Sequence, residues 1–502
     1  MFNYVISGGV RGVDGFLVRV EADVSSGMPG FELVGYLAGE VKEAEHRVRT
    51  ALRNEGFSIP IARIVVNLAP ADTKKTGTGF DLAIALSILA CIGEIKAESM
   101  QDIFVVGELM LSGNVAYTRG VLPMLLKAKS EGYKKFIIPR ANRNEGEMIE
   151  DASVICVESL KEVVNYLNGE EDISPLCPKL KSKLENNIKS ECDFKDVRGQ
   201  SLAKRGMEIG AAGLHNILMT GPPGAGKTML ARCVPSILPP LSDRECLEVS
   251  SIYSIRGSSE DVLVTRRPFI AAHHTSTDIS LVGGGTYIRP GAVSMAHTGV
   301  LFLDELPEFS RKALEALRQP LEDRKVNITR NRDTCVFPAD FMLVAAMNPC
   351  PCGYFPDRKK CTCSDSMINR YMSKISGPLL DRIDIQIQIE KVSPLELNKN
   401  FKAESSADIR KRVIRTLGIQ RERFRSGDIT FNSQMSNKDI EKYCVLGHDE
   451  DDFLREIVKK NDMSARCYFR VLRIARTIAD TEEKDRIGIE HLTEAIRYKM
   501  QD

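Results

Sequence analysis

The 502-residue sequence predicts a multidomain α/β protein, and three observations carry that reading. Gly221-Pro-Pro-Gly-Ala-Gly-Lys-Thr228 matches G-x-x-x-x-G-K-[ST]. It lies between a strand-type run, Asn216-Ile-Leu-Met-Thr220, and a helix-type run, Met229-Leu-Ala-Arg-Cys-Val234. Gly299-Val-Leu-Phe-Leu-Asp-Glu305 is a second buried-strand pattern, ending in two carboxylates. Short strands and helices are mixed before these motifs, whereas the pattern from about residue 405 onward is helical.

Residues 1–170 are expected to form an α+β domain. Phe16–Ala22 alternates as a strand, Glu40–Arg53 is an amphipathic helix and Arg63–Leu68 a buried strand. Asp81–Cys91 reads as a mostly apolar helix, and Lys135–Pro139 as another short strand. Residues 171–193 are polar and Lys-rich, which predicts a linker. The nucleotide-binding α/β module is expected over 194–392 and a helical region over 393–502. Its helices are placed at Asp408–Phe424, Asn437–Cys444, Glu450–Asn461, Ser464–Asp480 and Gly488–Lys499.

Lys and Arg total 69 against 68 Asp and Glu, so no protein-wide field attracts nucleic acid or acidic lipid. Any such partner needs a local patch. Thirteen cysteines, scattered apart from one cluster, fit a reducing compartment better than a disulfide framework. The N-terminus has no basic stretch followed by an apolar core, and Leu82–Ile92 is too short to span a bilayer. A cytoplasmic location is expected.

Each residue of the loop has a chemical reason. Gly221, Gly224 and Gly226 let the backbone bend towards phosphates, with Pro222, Pro223 and Ala225 completing the cradle and Met229 continuing the helix. Lys227 brings a positive charge to the β/γ oxygens, and Thr228 a hydroxyl for Mg²⁺. The helix start points its positive dipole end at the anion. Asp304 is placed to hold Mg²⁺, and Glu305 to orient and deprotonate the attacking water. The pair of motifs predicts hydrolysis of a nucleoside triphosphate, with ATP and Mg²⁺ as the expected ligands. Phe341–Asn348 is a third buried strand, ending in an amide that can position the lytic water.

GPPGAGKT, LFLDELPEF, AAMNPCPCG and SGPLLDRID, in this order, resemble the magnesium-chelatase-like AAA+ ATPases of the ComM/YifB branch. The similarity covers nearly the whole chain. It implies that Asn348 is sensor 1 and that Arg382 is an arginine finger reaching the γ-phosphate on a neighbouring subunit. A surface ion pair of Arg382 with Asp381 or Asp384 is the other reading. It further implies that Arg466 is the sensor 2 arginine of a helical lid, although Arg470 and Arg473 share its helix. A finger acting in trans requires a homo-oligomer, and the resemblance implies a hexameric ring that moves along DNA. The implied task is branch migration in recombination or natural transformation; a chelatase-type motor remodelling a protein partner is the alternative.

Pro268–Asp278 and Leu281–Tyr287 are read as an insertion projecting towards the ring pore, with His273 and His274 pointing apart. Lys325–Phe337 alternates like a hairpin, which makes Lys325, Arg330 and Arg332 candidate DNA contacts. The same charges would also keep an exposed edge soluble. Arg410–Arg425 is the densest basic segment and reads as a solvated face of the lid.

Cys350, Cys352, Cys361 and Cys363 could supply four thiolates to a structural Zn²⁺, or form a metal-free Cys-rich loop. Lys359 and Lys360 beside them are expected to depress the thiol pKa values. The first segment resembles the Ser/Lys proteolytic domain of Lon-type proteases, a ribosomal S5 domain 2-like fold. Gly79 stands at the serine position and Leu122 at the lysine position, and neither can act as nucleophile or base. The resemblance therefore implies a degenerate domain without peptidase activity.

Overall fold

The computed structural model describes residues 2–179, 192–257, 262–285, 288–330, 333–391, 403–425, 427 and 429–499. Most of the expected linker, Arg332, Tyr287 and the side chain of Arg330 lie outside the described residues. The chain forms two compact units. One comprises Met1–Asn187, Ser242–Thr265 and Thr329–Phe337; the other comprises Ile188–Leu241, Arg266–Ile328 and Pro338–Asp502.

The first unit is built on a seven-stranded sheet. Its strands are β1 (Phe2–Arg11), β2 (Asp14–Ser25), β3 (Gly30–Val34), β4 (Arg63–Ala69), β5 (Ile103–Val105), β6 (Lys135–Pro139) and β7 (Ser153–Val157). They lie in the order β3-β4-β2-β1-β5-β6-β7, antiparallel at β1·β2 and β2·β4 and parallel elsewhere. Helices α1 (Ala44–Asn54), α2 (Asp81–Ile92) and α3 (Val121–Ser130) pack on this sheet or on one another. Every residue from Asp81 to Cys91 is buried, which explains the apolar run there: α2 is a core helix, hydrophobic all round. Among the described residues no helix is long and apolar enough to cross a membrane.

The helix Asp243–Arg256, expected within the central segment, groups with this first unit. It is started by a Ser242/Glu245 capping box and packs on α3, where Gly120 N donates to Ser254 O at 3.2 Å. The outer part of the Lys325–Arg330 and Asp333–Pro338 hairpin also belongs here.

The second unit holds a five-stranded parallel sheet of β8 (Ile217–Thr220), β9 (Phe269–Ala272), β10 (Val300–Leu303), β11 (Met342–Met347) and β12 (Ile385–Gln388). Its order is β9-β10-β11-β8-β12. Every residue of β10 and β11 is buried, as near-continuous apolar strands in a covered parallel sheet should be. Phe269–Ala272 corrects the sequence reading: it is the edge strand beside β10 and not part of an insertion. A run of four small and apolar residues is too short to declare its partner before the sheet is assembled.

Helices α4 (Lys227–Ile237), α5 (Arg318–Asp323), α6 (Ser406–Arg423) and α7 (Ala465–Thr481) complete the parts of this unit used below. One apolar cluster runs from Met219 and Val344 of the sheet to Val413, Leu417, Val471 and Ile478 of the C-terminal helices. The helical region therefore shares the core of the sheet. Its basic segment is largely paired: Arg412 with Glu208 and Glu404, Arg415 with Glu483, and Arg423 with Asp480.

One buried acid in the first unit has a measurable consequence. Asn142 Nδ2 donates to Glu145 Oε2 at 2.7 Å and to Thr118 O at 2.8 Å. Burial pushes the Glu145 carboxyl up to about 7, although the Asn142 bond opposes it. The folded chain thus holds a proton that the unfolded chain releases near pH 4 to 5, so stability falls as pH rises towards 7. The first unit should lose on the order of 2 to 3 kcal/mol between pH 5 and pH 8. Glu145→Gln should remove most of that loss, as read from thermal unfolding at the two pH values.

Candidate nucleotide site

In a parallel sheet all strands end on the same edge, and loops leaving that edge converge. The loop Gly221–Gly226 leaves β8, Asp304 and Glu305 leave β10, Asn348 leaves β11, and His273 and His274 leave β9. Gly224 and Gly226 have φ of +76° and +88°, values open to glycine without strain. A Cβ on Gly221 would lie 2.4 Å from Ile389 O, so the loop passes too close to the backbone for any side chain. Pro222, Pro223 and Ala225 fill the turn, and Met229 lies 43% exposed on the first turn of α4.

Lys227 is buried and folded back. Its Nζ donates to Gly221 O at 2.6 Å, to Pro222 O at 3.1 Å and to Asn348 Oδ1 at 3.1 Å. Burial lowers its pKa, against the pull of Asp304 and Glu305. Thr228 Oγ1 donates to Asp304 Oδ2 at 2.9 Å, and Glu305 N donates to Asp304 Oδ1 at 3.0 Å. A hydroxyl and a carboxylate in contact beside a phosphate loop are the donor set that Mg²⁺ takes with its waters.

Glu305 stands at φ +54°, left-handed for a residue with a side chain, at a cost of about 1 to 3 kcal/mol. Its carboxylate meets a partner that the sequence reading missed. His274 Nδ1 lies 3.2 Å from Glu305 Oε2. The His273 and His274 rings are 4.1 Å apart, and His273 Nδ1 contacts Thr275 Oγ1 at 2.9 Å. The two histidines were expected to point apart. They leave the end of an edge strand, where the turn before Asp278 brings the rings together.

Arg382 and Arg466 lie elsewhere. Residues just before β8 (Leu214, Asn216), β11 (Asp340, Phe341) and β12 (Asp381, Arg382) line a cavity of about 490 Å³, together with Arg466, Arg470 and Arg473 of α7. These are the starts of the strands, so the four residues of β8, roughly 13 Å at 3.3 Å each, separate the cavity from the chain's own loop. A lid arginine reading its own nucleotide does not fit this placement; Arg466 stands with Arg382 instead.

Arg382 Nη2 pairs with Glu322 of α5, and Nη1 donates to Pro378 O at 2.7 Å. Asp381 and Asp384, its partners in the alternative surface-pair reading, do not hold it. Arg466 is 4.0 Å from Asp381, and Arg470 contacts Asp381 and Asp384 at 3.9 and 3.8 Å. Burial opposes ionisation of Asp384, but the His215 hydrogen bond and the charges of Arg470 and Arg473 hold it down to about 2. Burial lowers the Arg473 pKa, and its Nε has no hydrogen-bond partner.

The four cysteines of the cluster converge. Cys350 Sγ is 3.4 Å from Cys352 Sγ and 3.7 Å from Cys361 Sγ, and Cys352 is 3.6 Å from Cys361. With Cys363, all four sulfurs lie within 4.8 Å of one another. A tetrahedral zinc with Zn–S of about 2.3 Å requires sulfurs roughly 3.8 Å apart, so the residues fit that ion. The thiol pKa of Cys352 is lowered chiefly by the Tyr354 backbone hydrogen bond, not by the neighbouring lysines; Lys360 pairs with Asp357.

In the first unit Leu122 is fully buried on α3, and a Cβ on Gly79 would lie 2.8 Å from Thr118 Cγ2. The position aligned with a protease serine thus has no room for a side chain without a shift of its neighbour. Asp81 beside it is engaged by Arg47, Nε at 2.6 Å and Nη2 at 3.0 Å. Of the proposed hairpin contacts, Lys325 starts the first strand, Arg330 ends it, and Arg332 is outside the described residues.

The geometry at the loop separates binding from chemistry. Glu305→Gln should keep nucleotide affinity within about threefold while slowing hydrolysis at least ~100-fold, in line with loss of a general base. His274→Ala should slow turnover by roughly three- to tenfold at unchanged affinity, since it orients a carboxylate that the glycine-rich loop does not touch. Phosphate release and titration with a fluorescent nucleotide read the two effects apart.

The chain matches the family described as "Magnesium chelatase, subunit ChlI" over residues 193–397. It matches "Subunit ChlI of Mg-chelatase" over 20–142 and "Magnesium chelatase, subunit ChlI C-terminal" over 403–499. It is 42% identical over 499 residues to "Competence protein ComM" of Haemophilus influenzae, covering 99% of this chain and 97% of that protein. It is 39% identical over 495 residues to "Uncharacterized protein YifB" of Salmonella typhimurium, covering 98% and 96%. A "Lon protease" of Lachnoclostridium phytofermentans is 26% identical over 166 residues, 31% of this chain and 20% of that one. With near-complete coverage at this identity, the chain belongs to the magnesium-chelatase-like family that contains competence protein ComM and YifB.

Proposed function

We propose that this protein hydrolyses ATP with Mg²⁺ in a homo-oligomeric ring, a hexamer, and uses the energy to move along branched or single-stranded DNA in the cytoplasm. The observation that carries the proposal is the distance between the two edges of the sheet. Lys227, Thr228, Asp304, Glu305 and Asn348 gather at the strand ends, while Arg382 and Arg466 gather at the strand starts. An arginine that cannot reach its own loop can serve the loop of a neighbour, and a ring repeats that contact at every interface.

In this reading the N–H groups of Gly221–Met229 cradle the phosphates. Lys227 exchanges its carbonyl partners for β/γ oxygens, and Thr228 and Asp304 would hold Mg²⁺. Bound there, Mg²⁺ would supply charge screening for the phosphates. Glu305, held by His274, takes the proton of the attacking water, and Asn348 orients that water. Arg382 of the adjacent subunit must leave Glu322 to reach the γ-phosphate, with Arg466 beside it. Zinc on Cys350, Cys352, Cys361 and Cys363 would be structural.

DNA as the track is supported by near-full-length similarity to a protein named for competence and by the basic hairpin residues Lys325, Arg330 and Arg332. Remodelling of a protein partner is the second reading, favoured by the three magnesium-chelatase family matches. Proteolysis is disfavoured by Gly79 and Leu122. The domain boundaries near residues 170, 193 and 392 are proposed on the same family likeness.

Two experiments test this. Lys227→Ala and Arg382→Ala should each lower ATPase by about 10³-fold, yet an equimolar mixture should regain activity, because mixed rings pair an intact loop with an intact arginine. No recovery on mixing would refute the shared site. ATPase should rise at least threefold on adding branched or single-stranded DNA; an unchanged rate with every DNA tested would leave the partner-remodelling reading.

A further inference from the structure

The cysteine knuckle touches the nucleotide loop by three routes. Along the chain, Cys350 stands two residues beyond Asn348, whose Oδ1 accepts from Lys227 Nζ at 3.1 Å. Across space, Gly353 is buried against the loop: a Cβ there would lie 2.6 Å from Pro223 Cδ and 3.8 Å from Asn348 Cγ. Its φ of +84° also demands glycine. At the far end, Cys363 leads into the helix Asp365–Met372, capped by Ser364. Cys350, Cys363 and Ile368 of that helix form one small buried cluster. Tyr371 on the same helix, its phenol pushed up to about 12 by burial, receives a hydrogen bond from the Asn348 backbone.

Asn348 is thus gripped from both ends of one short segment. Between Pro349 and Ser364 the chain makes turns but no helix or strand, and its cysteines form no disulfide. The segment's apolar cluster buries only Cys350 and Cys363 of its own, with Phe355 and two further cysteines half-buried against them, a small core to order some sixteen residues at about 1 to 2 kcal/mol of backbone entropy each. A metal held by four thiolates would supply a further constraint, since binding energy at such sites becomes folding energy.

We infer that zinc at Cys350, Cys352, Cys361 and Cys363 is a positioning element of the nucleotide site, fixing Asn348 and Pro223 so that metal occupancy sets nucleotide affinity. This rests on the zinc and nucleotide readings above. It adds a regulatory consequence: a cell or reagent that withdraws zinc disarms the loop without touching any residue that contacts nucleotide.

The test uses full-length protein purified without chelator, with zinc measured by atomic emission and affinity by titration with a fluorescent ATP analogue. The wild-type protein should carry close to one zinc. Stripping it with a strong chelator under reducing conditions should weaken nucleotide affinity at least tenfold, and added Zn²⁺ should restore it. Gly353→Ala should keep its zinc yet lose at least fivefold in affinity, because it spoils the junction and not the ligands. In Asn348→Ala, stripping should cost less than it does in the wild-type protein, because only the contact of Gly353 with Pro223 is left to lose. Cys177→Ser, at an exposed cysteine outside the cluster, should behave as wild type.

Zinc present but affinity unchanged within twofold on stripping would overturn the positioning role and leave the structural zinc standing. Less than half an equivalent of zinc overturns both. Failure of the untreated wild-type protein to bind nucleotide overturns the nucleotide reading itself.

Discussion

Parallel hydrogen bonding of β9-β10-β11-β8-β12 is the constraint on which the second unit depends. It sends the glycine-rich loop, Asp304, Glu305 and Asn348 out of one edge, and Asp340, Asp381 and Arg382 into the opposite one. Side-chain rearrangement cannot close a gap as long as the strands themselves. Strand polarity is the ground on which the oligomer is proposed, before any interface is considered. The arginine-rich edge tolerates buried cations because carboxylates stand among them: Asp384 sits between His215, Arg470 and Arg473, and its ionisation is sustained by all three.

The loop edge is held in tension by polar groups that satisfy one another. Lys227 occupies backbone carbonyls and Asn348, Thr228 occupies Asp304, and Glu305 leans on His274 in a left-handed conformation. Each of these contacts involves a group assigned a part in phosphate, metal or water handling, so ligand binding would trade one set of partners for another. That exchange keeps the buried ammonium paired in both states, which limits the cost of its desolvation. The knuckle beside Asn348 belongs to the same arrangement, because it decides where the amide sits.

In the first unit the two positions that the sequence reading compared with a protease serine and lysine are taken up by packing. Gly79 leaves no room for a side chain next to Thr118, Leu122 is sealed into the core, and Asp81 is spent on Arg47. A serine placed at residue 79 would have to move Thr118 first. The helix Asp243–Arg256 packs onto this region from a distant stretch of sequence.

Local patterns made the nucleotide loop, the Asp304–Glu305 pair, the strand ending at Asn348 and most helices legible, because each depends on a few consecutive residues with a fixed period or a required glycine. The cysteine cluster was legible as a set of ligand types, though not as a tetrahedron, since two C-x-C pairs can converge or diverge. What depended on distant partners was hidden. Phe269–Ala272 became a strand only beside β10, and the two histidines met only at its end. Arg382 was singled out by its motif, but its partner Glu322 comes from a helix sixty residues earlier. The sequence alone determined the chemistry available to each loop. Tertiary structure decided which loops share an edge, because strand order and polarity are properties of hydrogen bonding between segments and leave no mark on any one of them.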